Sequence, residues 1–174
     1  MSVTLRQKMK WIVSSIALLL FILPATGQSA DGIGTTIILV RHAEKIDQGE
    51  DPDLSPAGRE RAHKLSGMLS EAGIQALFAT QFKRTQQTLM PLAEATHLEI
   101  QVRSAYRTDE LVRTILESYP GQTVAVASHS DRVTEIIEAL GGRPVGILPE
   151  QEYDNLFIVT VLGDSRAAVV RLKF

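Results

Sequence analysis

The sequence predicts an α/β fold, a three-layer α/β/α sandwich with a mostly parallel sheet and an antiparallel C-terminal edge pair. Two observations carry this. From Thr35 on, apolar runs of strand length alternate with segments of helical period, and a β-α-β-α order calls for parallel strands joined by crossover helices. The last two apolar runs are separated only by Gly163-Asp164-Ser165 and their neighbours, too short a link for a crossover, so they form an antiparallel hairpin.

Taken in order, Thr36-Ile37-Ile38-Leu39-Val40 is β-branched and continuously apolar, as a strand buried on both faces must be. Ser55-Pro56 supplies an N-cap hydroxyl and a proline at the first helical position. Ala62, Leu65, Leu69 and Ala72 then repeat at helical spacing, and Gly73 is expected to close that helix. A strand follows over Ile74 to Ala79, and a helix from about Lys83 to Ala95 turns Leu89, Leu92 and Ala93 inward. Leu98 to Val102 reads as a short strand. Thr108 is placed to cap a helix reaching Ser118, where Tyr119-Pro120-Gly121 stops it. Thr123 to Ala127 is another buried strand, and Val133, Ile136, Ile137 and Leu140 mark a helix ended by Gly141-Gly142. Leu156 to Leu162 and Ala167 to Leu172 form the hairpin. The acidic stretch from Asp47 to Asp53 reads as a surface loop, and His63 and His97 as surface residues.

The first thirty residues read as a targeting signal, leaving one domain over 31–174. Arg6, Lys8 and Lys10 precede an apolar run of thirteen residues, Trp11 to Leu23, shorter than the roughly 20 a membrane span needs. Pro24 breaks the run, and small residues follow, with cleavage expected after Gly27 or Ala30. This predicts export to the periplasm or the medium, with no stable membrane association once the segment is removed; the alternative is an uncleaved N-terminal anchor. Without those thirty residues, 15 basic side chains face 20 acidic ones, a net charge of −5. That balance argues against a nucleic-acid partner, whose phosphates call for clustered Lys and Arg. The absence of cysteine removes disulfides and thiolate metal sites.

In open parallel sheets, ligands bind outside the carboxyl ends of the strands. Three unusual groups fall there: Arg41-His42 after the first strand, Arg84 at the start of the helix after the second, and His129 after the Thr123 strand. Arg offers a fixed fork of donors for phosphoryl oxygens, and a neutral imidazole can attack phosphorus. Helix N-termini near Lys83 and Ser130 would add backbone N–H groups. This chemistry requires no metal and no cofactor.

The stretch Leu39-Val40-Arg41-His42-Ala43-Glu44-Lys45 resembles the signature of the histidine phosphatase superfamily, also called phosphoglycerate-mutase-like. The resemblance continues through Leu54-Ser55-Pro56-Ala57-Gly58-Arg59-Glu60-Arg61-Ala62, Arg84-Thr85-Gln86-Gln87-Thr88 and Ser128-His129-Ser130, in family order. It implies that His42 becomes phosphorylated, that Arg41, Arg84 and His129 hold the phosphoryl group, and that water hydrolyses the phosphohistidine. The implied substrate is a phosphorylated small molecule or a phosphoprotein. Only 45 positions separate Arg84 from His129, which predicts a shallow, open site like that of the small family members.

The general acid is not fixed by any motif. Asp109 and Glu110 are the first candidates, since they follow a strand and start a helix, and Asp131 is the second, just beyond His129. Glu44 is expected to pair with Lys45 or cap a loop, and Tyr153 and Asp154 to pack near the rim or the core. Other chemistries fit poorly. His42-Ala43-Glu44 lacks the cysteine ligands of zinc deaminases, there is no Gly-x-Ser-x-Gly elbow, and Gly32-Ile33-Gly34 precedes a strand instead of following one. The two alternatives kept are a phosphomutase and a non-catalytic module that binds phosphorylated ligands.

Overall fold

The structure, a computed structural model, describes residues 34–163 and 166–174. The segment expected to be a targeting signal, its expected cleavage site and the boundary at residue 31 lie outside those residues, as do Asp164 and Ser165.

The elements run β1 (Thr35–Arg41), α1 (Pro56–Leu69), β2 (Ile74–Thr80), α2 (Lys83–Thr96), β3 (Ile100–Arg103), α3 (Thr108–Ser118), β4 (Thr123–Ser128), α4 (Ser130–Ala139), β5 (Asn155–Val161) and β6 (Ala167–Lys173). They form one six-stranded sheet in the order β3-β2-β4-β1-β5-β6. The first four strands in that order are parallel, while β5 runs antiparallel to both β1 and β6. The expected α/β/α sandwich is therefore present, with its antiparallel pair at one edge.

Strand side chains alternate between two buried layers, which is why the central strands are apolar at every position. Ile37, Leu39, Phe78, Val124, Val126 and Phe157 face α3 and α4, through residues such as Ile115, Val133 and Ile137. Ile38, Val40, Leu77, Ala125 and Ala127 face α1 and α2, through Leu65, Leu89 and Leu92. Phe78 and Phe157 are fully buried, and burying a ring of that size contributes about 1.5–3 kcal/mol.

Local chemistry sets the helix ends. Ser55 caps α1 by accepting a hydrogen bond from the Gly58 N–H at 3.1 Å, worth about 1 kcal/mol. A Cβ on Gly58 would lie 2.0 Å from the Glu44 carbonyl oxygen. Glycine there lets the first turn of α1 press against the chain just beyond His42. The same carbonyl accepts from the Ser55 N–H at 2.8 Å.

Three expectations about boundaries are corrected. Helix α1 ends at Leu69 with Ser70 as its C-cap, and Gly73, at φ 66°, instead turns the chain into β2, leaving Ala72 exposed. The third strand starts at Ile100, because His97 adopts the left-handed conformation (φ 56°) and the Leu98 N–H closes back on the Ala93 carbonyl. Thr108 is the first helical residue of α3 rather than its cap; it is buried, and Arg107 at the cap position makes no side-chain capping bond.

The topology puts a crevice where the candidate residues lie. β1 and β4 are parallel neighbours with Arg41 opposite Ser128, and the His42 N–H extends the ladder by donating to the Ser128 carbonyl at 2.9 Å. From β1 the chain leaves for α1 on one face of the sheet, and from β4 for α4 on the other. The carboxyl ends of these two strands thus border the open space at a topological switch point.

Candidate active site

In-register pairing of β1 and β4 makes the residues that follow them neighbours, and the His42 and His129 rings lie 5.4 Å apart between centroids. A cleft of about 280 Å³ opens there, lined by His42, Phe82, Arg84, Ala105, Tyr106, His129, Ser130, Asp131 and Arg132. Between Arg84 and His129 the chain contains only the rest of α2, then β3, α3 and β4. No inserted helical segment roofs the cleft.

His42 is buried, and its Nδ1 lies 2.8 Å from the Ala43 carbonyl oxygen. A carbonyl can only accept, so Nδ1 carries the proton and the Nε2 lone pair is the free one. Burial pushes this imidazole down to about 3, with His129, Arg84 and Arg41 adding to the effect against the opposing Ala43 bond. Burial, followed by the Arg84 charge, pushes His129 down to about 4. Both rings are neutral at ordinary pH.

These shifts have a stability consequence. An imidazole with a folded pKa below its ordinary 6.5 stays neutral in the native chain while the unfolded chain takes up a proton. Its contribution is therefore intact above pH 7 and is lost as the pH falls from about 6.5 towards 3. The slope is at most about 1.4 kcal/mol per pH unit for one histidine. Urea unfolding between pH 7 and 4.5 should show the wild-type stability falling more steeply than that of His42→Gln. Parallel curves for the two proteins would mean that His42 is not held neutral.

Arg84 sits in the first turn of α2 with its guanidinium 4.4 Å above the Phe82 ring. Its Nη1 lies 3.6 Å from Asp51 Oδ1, and its Nη2 lies 3.4 Å from His129 Nδ1. Burial lowers its pKa. Asp51 also accepts from the Lys83 N–H at 3.0 and 3.3 Å, capping α2 in place of Phe82, which has no side chain able to do so. Thr88 ties the same helix to the residue after His42: its Oγ1 accepts from the Ala43 N–H at 2.9 Å and donates to the Arg84 carbonyl at 2.7 Å. Gln87 does likewise for the preceding loop, accepting from the Leu54 N–H and donating to Asp53.

Arg41, which the resemblance implies holds the phosphoryl group, is a buried side chain with carbonyl partners of its own. Its Nη1 donates to the carbonyls of Pro149, Glu150 and Glu152, and Tyr153 stacks on its guanidinium at 4.2 Å. Tyr153 also lies 6.0 Å from the His42 ring, so of the two roles weighed for it, the rim is the one observed. Among the described residues, the buried Nε atoms of both Arg41 and Arg84 have no hydrogen-bond partner. Unpaired buried guanidinium donors carry a desolvation cost, which an anion would offset.

The carboxyl candidates separate by position. Asp131 lines the cleft, with Arg132 Nε at 3.3 Å. Asp109 does not line it; its exposed side chain lies 3.9 Å from Arg107, which also holds Glu110. Glu44 pairs with Arg61 through both carboxylate oxygens at 2.7–3.0 Å, not with Lys45. His63 and His97 are exposed, as expected. Among the described residues, no three His, Asp or Glu side chains gather as metal ligands would.

Sequence reasoning missed Asp51, Phe82, Tyr106, Arg132 and Thr80. Asp51 lies in an acidic stretch that reads as a surface loop, and its contact with α2 spans more than thirty positions, for which no periodicity gives a signal. Thr80 ends β2 and reaches His129 Nε2 at 3.1 Å.

Residues 37–107 match the family model of the histidine phosphatase superfamily (branch 1). A curated relative, phosphoserine phosphatase 1 of Hydrogenobacter thermophilus, is 33% identical over 98 residues, covering 48% of this chain and 46% of the relative. The chain spans about half the length of that relative. Among solved structures, the protein histidine phosphatase SixA complexed with tungstate has a TM-score of 0.63 at 16% identity, covering 79% of this chain and 96% of that one. A mycobacterial glucosyl-3-phosphoglycerate phosphatase complexed with VO3 scores 0.65 at 16% identity, with 77% and 96% covered. YhfR of Bacillus stearothermophilus scores 0.65 at 17% identity, with 78% and 95% covered. At such identities the structural likenesses establish the fold. The family match lies over β1 to the residue before α3, where His42 and Arg84 are found, and over that stretch the chain is similar to the histidine phosphatase superfamily.

Proposed function

We propose that this protein is a phosphomonoester hydrolase that works through a phosphohistidine on His42. The observation that carries the reading is the His42 Nδ1 hydrogen bond to the Ala43 carbonyl, which leaves Nε2 as the attacking atom. The unpartnered Nε donors of Arg41 and Arg84 support it, since they suit the equatorial oxygens of a transferring phosphoryl group. In the first step an Nε2–P bond forms and the P–O bond to the leaving alcohol breaks, with the alcohol oxygen taking a proton from a nearby acid. In the second step water attacks phosphorus, the P–N bond breaks, and the water's proton returns to the same carboxylate.

Asp131 is the acid in this reading, because it lies at the cleft and Asp109 does not. Asp131→Asn should slow hydrolysis of alkyl phosphates at least tenfold more than that of aryl phosphates, whose leaving groups need less protonation (roughly 10²–10⁴ is typical of lost acid catalysis). Equal losses for the two classes would leave Asp131 a structural role only. The open cleft suits small phosphomonoesters as well as a phosphorylated side chain presented on a protein. The reading extends to the first thirty residues as an export signal, which intact-mass measurement of the extracytoplasmic fraction tests: cleavage after Gly27 or Ala30 is expected, and a full-length chain there would overturn it.

A further inference from the structure

Thr80 and Thr85 form a hydrogen-bond chain behind His129 whose direction can be worked out from donors and acceptors alone. Thr85 Oγ1 lies 2.8 Å from the Phe82 carbonyl and 3.1 Å from the Thr80 carbonyl. Carbonyls only accept, so the single Thr85 hydroxyl proton points to them. The same oxygen then accepts from the Thr80 N–H at 3.1 Å and from the Thr80 hydroxyl at 2.8 Å. With its proton spent there, Thr80 Oγ1 can only accept from His129 Nε2, 3.1 Å away. On the other side of the ring, Arg84 Nη2 has only protons to offer His129 Nδ1. Both ends of the ring therefore require the same tautomer, with Nε2 protonated and Nδ1 bare.

We propose that Thr80, oriented by Thr85, is a positioning residue that holds His129 as the Nε2–H tautomer, so that any second proton must enter at Nδ1, the side facing Arg84 and the cleft. The catalytic consequence rests on the phosphatase reading above; the tautomer itself does not. A phosphomonoester monoanion arriving at Arg84 draws that guanidinium away from Nδ1 and can pass its own proton to the bare nitrogen. Charge and atoms balance: a neutral ring and a monoanion become an imidazolium and a dianion joined by an Nδ1–H···O bond. The free chain disfavours the imidazolium through burial and through the charges of Arg84 from α2, Arg132 from α4 and Arg41 from β1, opposed only by Asp131. His42 beside it is neutral. The phosphoryl charge offsets those cations, so the ring becomes a donor only when there is a phosphoryl group to hold. A reversed ring would place its fixed proton against Arg84 and lose this behaviour.

The test reads the ring directly, from 15N chemical shifts of His129 in labelled protein at pH 7, alone and with saturating inorganic phosphate. The wild type should show a protonated Nε2 and a bare Nδ1 alone, and protonation of both nitrogens with phosphate. Thr80→Val, which keeps the shape and removes the acceptor, should shift the ring towards Nδ1–H. It should also lower kcat roughly 10–100-fold, the scale on which the outer partners of metal-bound imidazoles act, while KM changes less. Thr80→Ser should restore both readouts. A wild-type ring carrying its proton on Nδ1 overturns the proposal without recourse to any variant, and so does an unchanged tautomer in Thr80→Val. A wild type with the expected spectrum but no phosphatase activity would sink the functional reading and uphold the tautomer assignment.

Discussion

Replacing His42 with alanine should reduce hydrolysis of an aryl phosphate by roughly a thousandfold or more, the scale on which removal of a covalent nucleophile acts. Three features make His42 suited to that role rather than to a structural one. Its Nδ1 proton is committed to Ala43, so the Nε2 lone pair is left free. Burial and neighbouring cations hold the ring neutral down to about pH 3, which keeps the free nucleophile available across the working range. The backbone is pinned on both sides, through the His42 N–H on Ser128 and the Ala43 N–H on Thr88. The same protein should yield an acid-labile phosphoryl adduct at His42 in quenched wild-type reactions, seen by mass spectrometry, and none in the variant. Turnover should be insensitive to EDTA. A His42→Ala protein as active as wild type, or activity abolished by chelation, would remove His42 from the mechanism.

The two halves of the site were unequally legible in the sequence. His42 and His129 could be placed because each directly follows an apolar strand, and parallel sheets carry ligands at those ends. What could not be read was that β1 and β4 are immediate neighbours, since strand order depends on packing and not on local pattern. The pairing of Arg41 with Ser128 is what converts two separate histidines into a pair 5.4 Å apart. Asp51 and the carbonyls of residues 149–152 were similarly invisible, because they reach Arg84 and Arg41 from loops distant in sequence. Asp109 shows the limit of such placement. Its place after a strand and at a helix start was sound, yet those coordinates do not say which way a side chain points, and it stands exposed beside Arg107. The Arg84-Thr85-Gln86-Gln87-Thr88 run was recognisable as a motif, but its meaning emerges only in three dimensions. One arginine faces the cleft, while Thr85, Gln87 and Thr88 fasten its helix to β2, to the loop before α1 and to the residue after His42.

That division of labour predicts how Arg84 should respond to substitution. Arg84→Ala should lower kcat/KM by about 10²–10³, the cost of removing one preorganised donor to a developing charge. Arg84→Lys should recover only a small part of this, since an ammonium supplies charge without the planar fork. The loss should fall on rate and on affinity for inorganic phosphate rather than on folding. The helix is anchored by Thr85, Gln87, Thr88 and the Asp51 cap on the Lys83 N–H, none of which needs the Arg84 side chain. Arg41 makes the useful contrast. Its guanidinium holds three carbonyls of the 149–152 segment and carries Tyr153, so Arg41→Ala should lower the unfolding midpoint as well as the rate. Thermal melts and phosphate titrations on the two variants separate these outcomes. If Arg84→Ala melted well below wild type while binding phosphate normally, its cationic end would be a structural brace for the Asp51 loop, and Arg41 alone would be left to hold the phosphoryl group.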